Sequence, residues 1–507
     1  MTNAFSTDAK LTPLMIEEIA ERKTQVWVGP LSDHHVAECE NFAKRLIADG
    51  HDVYGWTTGF GPLVVHEVPR QRAQHHQASL LAHLASGTGE PLPRRHIRAI
   101  MASRLWTLCR GRSAVRSEVV RALASALNAD FCPVVPSQGT VGASGDLTPL
   151  AHIALALVGE GEAWDGEKRR SAQEVLNKLG LRPLTLQGRD GLALVNGTSA
   201  MTGIAALNAQ EAQRALELAI VHAAAYSKVM LTPEAAFDER LGRVRPHAGQ
   251  AYVHRQMKGL LGDQPRHLAD DEALQDAYSM RCAPQILGAV ADAMSFHEQT
   301  VETELDSVTD NPVFLPEDGT VLHGGNFQGQ HIAFGSDALA NAVIKIAELV
   351  ERRIARVTDV QLNRGLPAFL SKGTPGIDSG FMGAQVTASS LVAEMRTKAT
   401  PASVQSIPTN GNNQDIVSMG TIAARKASIL LADCYHILAI EAIVLAQAVD
   451  IRFEKQSMIK RNTGLERWYR WVRDRSLPLE QDRPLASEIA TIAKDCHNLT
   501  IKQERIF

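Results

Sequence analysis

Aromatic residues are scarce in this chain of 507 residues, at 5% of the composition, although 45% of the residues are apolar. A large excess of one charge is also lacking, because 52 Lys and Arg nearly balance 56 Asp and Glu to leave a net charge of −4. Alanine and leucine recur instead, which favours helices over sheets. The balanced charge gives no electrostatic reason to expect nucleic acid or an anionic membrane as a partner.

Cysteine is rare as well. Six cysteines are spread over the chain without a Cys-x-x-Cys pair, which favours reduced thiols over disulfides or a zinc site.

Residues 1–10 contain no basic segment followed by an apolar core, so we expect no secretory signal and a cytoplasmic protein. The most apolar run, residues 429–449, contains Asp433, His436 and Glu441. Because unpaired charges are costly in lipid, this run predicts a helix buried in a bundle.

Three long segments show the apolar spacing of amphipathic helices. Apolar side chains recur every three or four residues over 336–358, and similar patterns cover residues 199–230 and 420–452. The sequence therefore predicts a mainly α protein, built as an elongated bundle of long up-and-down helices. We expect a loop-rich N-terminal part, residues 1–183, to carry the functional loops and to continue into a long-helix part, residues 184–507, within one fold.

The most unusual stretch covers residues 139–152 and reads Gly-Thr-Val-Gly-Ala-Ser-Gly-Asp-Leu-Thr-Pro-Leu-Ala-His. It fits neither of the glycine patterns that bind phosphate, and Asp146 stands where a nucleophile elbow needs glycine. The residues before it do not resemble a strand. One interpretation is a tight turn before a helix that Asp146 or Thr148 caps.

A second interpretation is that the Ala-Ser-Gly triplet in this stretch modifies itself. If the loop bends so that the Gly145 amide nitrogen attacks the Ala143 carbonyl carbon, a five-membered ring closes. Loss of water at that carbon and of the Ser144 hydroxyl then leaves an exocyclic methylidene imidazolone, which is a strong electrophile. Small residues are needed, because glycine has no Cβ to block the bend.

Residues 139–152 closely resemble the cofactor-forming signature of the aromatic amino acid ammonia-lyase family, which includes histidine, phenylalanine and tyrosine lyases and related aminomutases. The resemblance extends from Tyr54 to about Arg452 and includes five further blocks in the family's order. These blocks are residues 54–61, 194–198, 275–282, 324–327 and 413–415. One such block can occur by chance, but six in order cannot.

The resemblance implies a role for each part of the site, because ammonia elimination needs an electrophile, a base and a carboxylate clamp. Ala143, Ser144 and Gly145 would form a 4-methylidene-imidazol-5-one, without a metal or nucleotide. Tyr54 resembles the catalytic base, for which a phenol of pKa about 10 needs a lowered pKa. Arg281 resembles the group that binds the substrate carboxylate. The other substrate-binding positions that the resemblance implies are Gly61, Asn196, Tyr278, Phe327, Asn410, Asn413 and Gln414.

The substrate is indicated by a residue pair in the stretch that resembles the family's selectivity loop. This pair is His83-Leu84, whereas tyrosine lyases carry His-Leu, phenylalanine lyases Phe-Leu and histidine lyases typically Ser-His. An imidazole can hydrogen-bond the phenolic hydroxyl of tyrosine. Histidine lyases usually carry glutamate in place of Gln414, and a neutral amide pairs poorly with an imidazolium. Trp56 and Thr57 depart from the family pattern and could favour another aryl-alanine.

The resemblance therefore implies conversion of L-tyrosine to trans-p-coumarate by a homotetramer with composite active sites. Two alternatives share the same site: a histidine lyase that forms urocanate, and an aryl-alanine 2,3-aminomutase that returns ammonia to the β-carbon. A catalytically silent helical scaffold is the non-enzyme alternative. The intact Ala-Ser-Gly triplet with Tyr54 and Arg281 argues against a scaffold, because a retired site has no chemical reason to keep all five residues.

Overall fold

Helices dominate the computed structural model, which describes residues 4–262, 275–453 and 464–497. More than half of the described residues lie in helices, so the prediction of a mainly α protein is confirmed. The helices are α1 Pro13–Ala20, α2 Pro30–Ala48, α3 Ala73–Leu84, α4 Arg94–Cys109, α5 Ser117–Asn128, α6 Leu147–Leu157, α7 Ala172–Lys178, α8 Asp190–Val195, α9 Ser199–Val229, α10 Glu239–Val244, α11 Ala248–Leu261, α12 Tyr278–Arg281, α13 Ala283–Leu305, α14 Gln330–Thr358, α15 Met382–Thr397, α16 Gly420–Phe453, α17 Gly464–Arg473 and α18 Ala486–His497.

The strands are short and pair two by two. They are β1 Ala4–Ser6, β2 Gln25–Trp27, β3 Thr88–Pro91, β4 Pro136–Gln138, β5 Glu162–Asp165, β6 Lys168–Ser171, β7 Val313–Leu315 and β8 Thr320–Leu322. The β1–β2 pair is parallel and the other three pairs are antiparallel. The β3–β4 ribbon joins the segment after α3 to the segment before residues 139–152. The sequence predicted no strand there, since three residues are too few to show alternation.

Two compact units make up the chain. The first comprises Met1–Gln210, His297–Asp337 and Pro401–Arg425, and the second comprises Glu211–Phe296, Ala338–Thr400 and Lys426–Phe507. Each unit has an apolar core of its own. The division near residue 183 was drawn from composition and stays a prediction.

The core of the first unit surrounds α4, which is buried along nearly its whole length. Two buried arginines on this helix donate to backbone carbonyl groups that lack a helical partner or lie near a helix end. Arg98 donates to the carbonyl oxygens of Ile19 in α1 and Leu127 in α5, at 3.1 and 2.9 Å. Arg104 donates to the carbonyl oxygen of Ala193 in α8 at 2.9 Å. Helix α4 thus fixes the position of α8, which carries part of the site.

The core of the second unit contains most of α16, the apolar helix that the sequence predicted to be buried. By length and composition α16 could cross a membrane, but 78% of its most apolar window is buried within the protein. Its buried Glu441 accepts hydrogen bonds from Arg353 Nε at 2.7 Å and lies 3.0 Å from His222 Nδ1. These partners compensate the buried charge, so the prediction of a buried helix is confirmed.

Candidate active site

The Ala-Ser-Gly loop bends tightly at Ser144 and Gly145. Ser144 and Gly145 have φ values of +52° and +73°, in the left-handed region. A Cβ on Gly145 would lie 2.1 Å from the carbonyl oxygen of Gly197, and the Gly197 amide donates to the Ser144 carbonyl oxygen at 3.3 Å. Only glycine fits at position 145. Ser144 and Gly145 therefore form a tight bend against Gly197 that needs glycine at position 145.

Asp146 anchors this loop to distant parts of the chain. It occupies the N-cap position of α6, but its side chain makes no capping bond. The buried carboxylate instead accepts the Met201 amide hydrogen at 2.7 Å and the Thr421 hydroxyl hydrogen. Burial raises the pKa of Asp146 to about 6, and these hydrogen bonds act in the opposite direction. Thr148 does not replace it as a cap, since its hydroxyl donates to the Gly139 carbonyl oxygen at 2.9 Å.

A cavity of about 820 Å³ opens beside Ser144, and the residues that line it belong to the first unit. It brings together ten of the residues that the sequence predicted for the site: Tyr54, Gly61, His83, Leu84, Ser144, Asn196, Phe327, Asn410, Asn413 and Gln414. The sequence did not single out the rest of the lining: Phe60, Pro62, Leu63, Val64, Leu80, Leu147, Leu192 and Asn311. Most of these are apolar, and in a sequence they cannot be told from core residues. Among the described residues, no cluster of three or more His, Cys, Asp or Glu side chains could hold a metal ion.

Tyr54 lies in a turn with its phenol group in the cavity wall. The phenol oxygen accepts the Gly61 amide hydrogen at 2.8 Å, and the ring meets Phe60 edge-on with 6.4 Å between centroids. Phe60 stacks on His76 at 4.1 Å, and burial lowers the pKa of His76. An amide hydrogen donated to the phenol oxygen stabilises negative charge on that oxygen. The turn thus presents a phenol whose charged form has a hydrogen-bond partner.

Trp56 and Thr57, the two departures from the family pattern, do not line the cavity. Trp56 packs against a small cluster that includes Val53 and Phe314. The Thr57 hydroxyl accepts the Val53 amide hydrogen at 2.9 Å. Both residues therefore stabilise the Tyr54 turn from outside the cavity.

His83 and Leu84 lie on a helix, although the sequence predicted a loop. They occupy the last turn of α3, which has neither glycine nor proline and buries Leu80 and Leu81. His83 Nδ1 lies 3.1 Å from the Ser79 carbonyl oxygen. A carbonyl oxygen only accepts hydrogen bonds, so Nδ1 carries the hydrogen. In the neutral imidazole Nε2 then keeps its lone pair and acts as an acceptor.

Asn196 ends α8 beside a buried ion pair. Its Nδ2 donates to Asp310 Oδ1 and to the Asn311 carbonyl oxygen, both at 2.8 Å. Arg189 binds the same carboxylate through two nitrogen atoms, at 2.7 and 2.9 Å. Because both amide hydrogens are used, Asn196 has Oδ1, an acceptor, left for a ligand. The sequence analysis missed Arg189 and Asp310, since their 121-residue separation hides the pairing.

Gln414 is oriented by a neighbour as well. Its Oε1 accepts the Thr409 hydroxyl hydrogen at 2.8 Å, and its Nε2 lies 3.4 Å from Ser144 Oγ. The atom that faces Ser144 is therefore a donor. Nearby, Asn410 packs against Gly61, where a Cβ would lie 2.6 Å from Asn410 Nδ2.

Tyr278 and Arg281 lie in the second unit, on α12. The Arg281 guanidinium is 4.8 Å from the centroid of the Tyr278 ring, and Tyr278 is 70% exposed. Within the described part of the chain, Nε of Arg281 has no hydrogen-bond partner. Neither residue is among those that line the cavity.

Comparison with known proteins decides the family. The model of the aromatic amino acid lyase family matches residues 11–474. The chain belongs to this family. A tyrosine ammonia-lyase from Cereibacter sphaeroides is 45% identical over 500 residues, which cover 94% of each chain. A histidine ammonia-lyase from Caldanaerobacter subterraneus subsp. tengcongensis is 39% identical over 476 residues, covering 94% of this chain and 92% of the relative.

The fold of this aromatic amino acid lyase is shared with solved structures. A tyrosine aminomutase from Streptomyces globisporus superposes with a TM-score of 0.91 at 35% identity, over 98% of this chain and 97% of that one. The resemblance that the sequence motifs carried is thus confirmed for the family and for the helical fold. Because these relatives carry three different activities in their names, the comparisons do not fix the substrate.

Proposed function

We propose that the protein eliminates ammonia from L-tyrosine to form trans-p-coumarate, in the cavity beside Ser144. The observation that supports this most is the convergence on one cavity of Ser144, Tyr54 and His83. They correspond to an electrophile, a base and an acceptor for a phenolic hydroxyl. Elimination needs the electrophile and the base, together with a group that binds the carboxylate. The acceptor favours tyrosine among the possible substrates.

Ala143, Ser144 and Gly145 are the source of the electrophile. Relatives in the ammonia-lyase and aminomutase family use a methylidene-imidazolone, and the left-handed φ values of Ser144 and Gly145 fit the bend that its formation requires. When formed, 4-methylidene-imidazol-5-one supplies an electron-poor carbon to the substrate amine. No metal or nucleotide takes part.

Tyr54 is the base that takes the proton from the substrate β-carbon. The amide hydrogen of Gly61, 2.8 Å from the phenol oxygen, stabilises the phenolate that removes this proton. Asn196 Oδ1 accepts a hydrogen bond from the neutral amino group of the substrate, because both hydrogens of its own amide bind Asp310 and Asn311. The C–N bonding electrons then leave with the nitrogen as the α,β double bond forms.

His83 selects tyrosine among the aromatic amino acids. Its Nδ1 donates to Ser79, so Nε2 accepts the phenolic O–H of the substrate. Leu80, Leu84 and Phe327 supply apolar surface for the ring. A histidine substrate binds less well, because Gln414 directs an N–H donor towards Ser144. The imidazolium of such a substrate would need a carboxylate as its partner.

The carboxylate clamp and the assembly complete this function. The protein acts as a homotetramer with composite sites, in which a second copy supplies Tyr278 and Arg281. Two observations support this arrangement: neither residue lines the cavity, and Tyr278 is 70% exposed in the single chain. The enzyme works in the cytoplasm, and its net charge of −4 does not favour nucleic acid or anionic membranes as partners.

Two alternatives have support from the relatives. A histidine lyase, forming urocanate, is favoured by the 39% identity to a histidine ammonia-lyase. An aryl-alanine 2,3-aminomutase is favoured by the likeness to tyrosine aminomutase. It would use the same residues and return ammonia to the β-carbon.

Product analysis separates these functions. The purified protein is incubated separately with L-tyrosine, L-phenylalanine and L-histidine, and all products are resolved by chromatography. We expect coumarate from tyrosine at the highest kcat/KM. Urocanate as the main product would overturn the choice of tyrosine, and a β-amino acid would assign the protein to the aminomutases. No product from any of the three would overturn the lyase function.

A further inference from the structure

We propose that Gln77 is a positioning residue that holds the Tyr54 turn against α8, and so sets the position of the base relative to Asn196. This inference rests on the proposed function, because it gives Tyr54 the role of base. Gln77 lies on α3, two turns before His83, and does not line the cavity. It acts through the backbone of its neighbours.

The two ends of the Gln77 amide bind two different segments. Nε2 donates to the Gly55 carbonyl oxygen at 2.8 Å, and Oε1 accepts the Leu192 amide hydrogen at 2.9 Å. Gly55 directly follows Tyr54, and Leu192 lies one helical turn before Asn196. The side chain is 0% exposed, so no solvent competes for either hydrogen bond. One buried side chain thus links three elements of the site.

A glutamine amide makes both bonds without carrying a charge. The Leu192 amide lies in the first turn of α8, where backbone N–H groups have no helical partner, and it needs an acceptor. The Gly55 carbonyl needs a donor. Glutamate offers no donor in its charged form, and methionine offers neither group, so each substitution leaves a buried backbone group unsatisfied.

The packing leaves little room for the turn and α8 to adjust. Gly55 has a φ of +70°, and a Cβ there would lie 2.3 Å from Leu192 Cδ2. A Cβ on Gly191 would lie 3.0 Å from Gln77 Cβ. The three segments are therefore in direct contact, and loss of the amide displaces the turn that carries Tyr54.

Displacement of the base lowers the rate more than it weakens binding. A shift of about 1 Å in a reacting group can cost about 100-fold in rate. We therefore expect Gln77→Met to lower kcat about 10- to 100-fold and to change KM less than about threefold, because Gln77 does not touch the cavity. Intact mass checks that the variant has lost two waters as the unaltered protein does, so that the lower rate is not a failure of ring formation.

Gln447 provides a matched control in the second unit. It is 0% exposed, donates from Nε2 to the Leu479 carbonyl oxygen at 3.0 Å and accepts the Leu479 amide hydrogen at 2.9 Å. Gln447→Met removes the same kinds of bond from a buried amide that does not support the Tyr54 turn. We expect it to destabilise the protein and to leave kcat within about threefold of the unaltered protein.

The decisive experiment compares Gln77→Met, Gln447→Met and the unaltered protein by steady-state kinetics with L-tyrosine and by amide hydrogen exchange. We expect faster exchange at residues 55–66 in Gln77→Met only, together with its selective loss of kcat. Gln77→Glu, which keeps the Leu192 bond and loses the donor to Gly55, is the second variant if the methionine variant does not fold. We expect it to change both readouts in the same direction.

Two results would overturn the positioning role. One is unchanged exchange at residues 55–66 in a folded Gln77 variant, which decides the matter without any activity. The other is an equal loss of kcat in Gln77→Met and Gln447→Met. Failure of the unaltered protein to convert any aromatic amino acid overturns the proposed function instead, and hydrogen exchange then still decides whether Gln77 holds the turn.

Discussion

His83 lines the cavity from the last turn of α3. Its replacement by phenylalanine removes an acceptor for a phenolic hydroxyl and keeps a planar ring of similar size. His83 Nδ1 is already bound to the Ser79 carbonyl oxygen at 3.1 Å, so Nε2 is the ring nitrogen left to accept the hydroxyl of the proposed substrate. A neutral hydrogen bond contributes about 1 kcal/mol net, and a buried hydroxyl left without a partner costs about 1 kcal/mol more. We therefore expect the ratio of kcat/KM for tyrosine to kcat/KM for phenylalanine to fall roughly 30-fold, which corresponds to about 2 kcal/mol of transition-state stabilisation.

The assay measures kcat/KM for L-tyrosine and L-phenylalanine with the unaltered protein, His83→Phe and a control, His75→Phe. His75 is an exposed histidine on the same helix that does not line the cavity, so its replacement should leave the ratio unchanged. A ratio in His83→Phe within about twofold of the unaltered protein would refute the selector role. An equal shift in the His75 variant would refute the argument that the effect comes from the cavity.

Gln414, Asp310 and Asp146 can each be tested by one substitution. Gln414→Glu should raise kcat/KM for histidine relative to tyrosine about tenfold, because a carboxylate pairs with an imidazolium; an unchanged ratio in the product assay would contradict this. Asp310→Asn should lower the free energy of unfolding in urea by about 3 kcal/mol, because the buried Arg189 loses its charged partner; a loss under about 1 kcal/mol would contradict the buried pair. Burial raises the pKa of Asp146 from 3.8 to about 6, so the stability that its protonated form gives is complete below about pH 4 and is lost as the pH rises through 6. Relative to Asp146→Asn, the urea unfolding free energy should therefore fall by about 2 kcal/mol between pH 4 and 7, and a pH-independent difference would contradict the raised pKa.

The long helices could be predicted because their signal is local. The segment 199–230 was expected and α9 is Ser199–Val229, and 420–452 was expected and α16 is Gly420–Phe453. The third was predicted from residue 336, while α14 starts at Gln330. Apolar periodicity fixes the interior of a helix, whereas its ends depend on contacts outside it.

The residues that support the site could not be predicted, because their partners are far away in the chain. Asp146 stands where a helix cap is expected, yet its carboxylate binds the Met201 amide, 55 residues later. Gln77 binds Leu192, 115 residues later, and nothing in its neighbourhood distinguishes it from a surface glutamine. A motif could nominate candidate residues by their chemistry, but it could not nominate residues that act through tertiary hydrogen bonds.

The intact mass of the purified protein shows whether the Ala-Ser-Gly triplet modifies itself, and Ser144→Ala is the control. Ring formation from Ala143, Ser144 and Gly145 removes two waters. We expect a mass lower than that of the unmodified chain by two waters. In the folded Ser144→Ala variant we expect the full mass and nearly complete loss of turnover. An unaltered protein with its full mass, or a variant that keeps its activity, would contradict self-modification of the triplet.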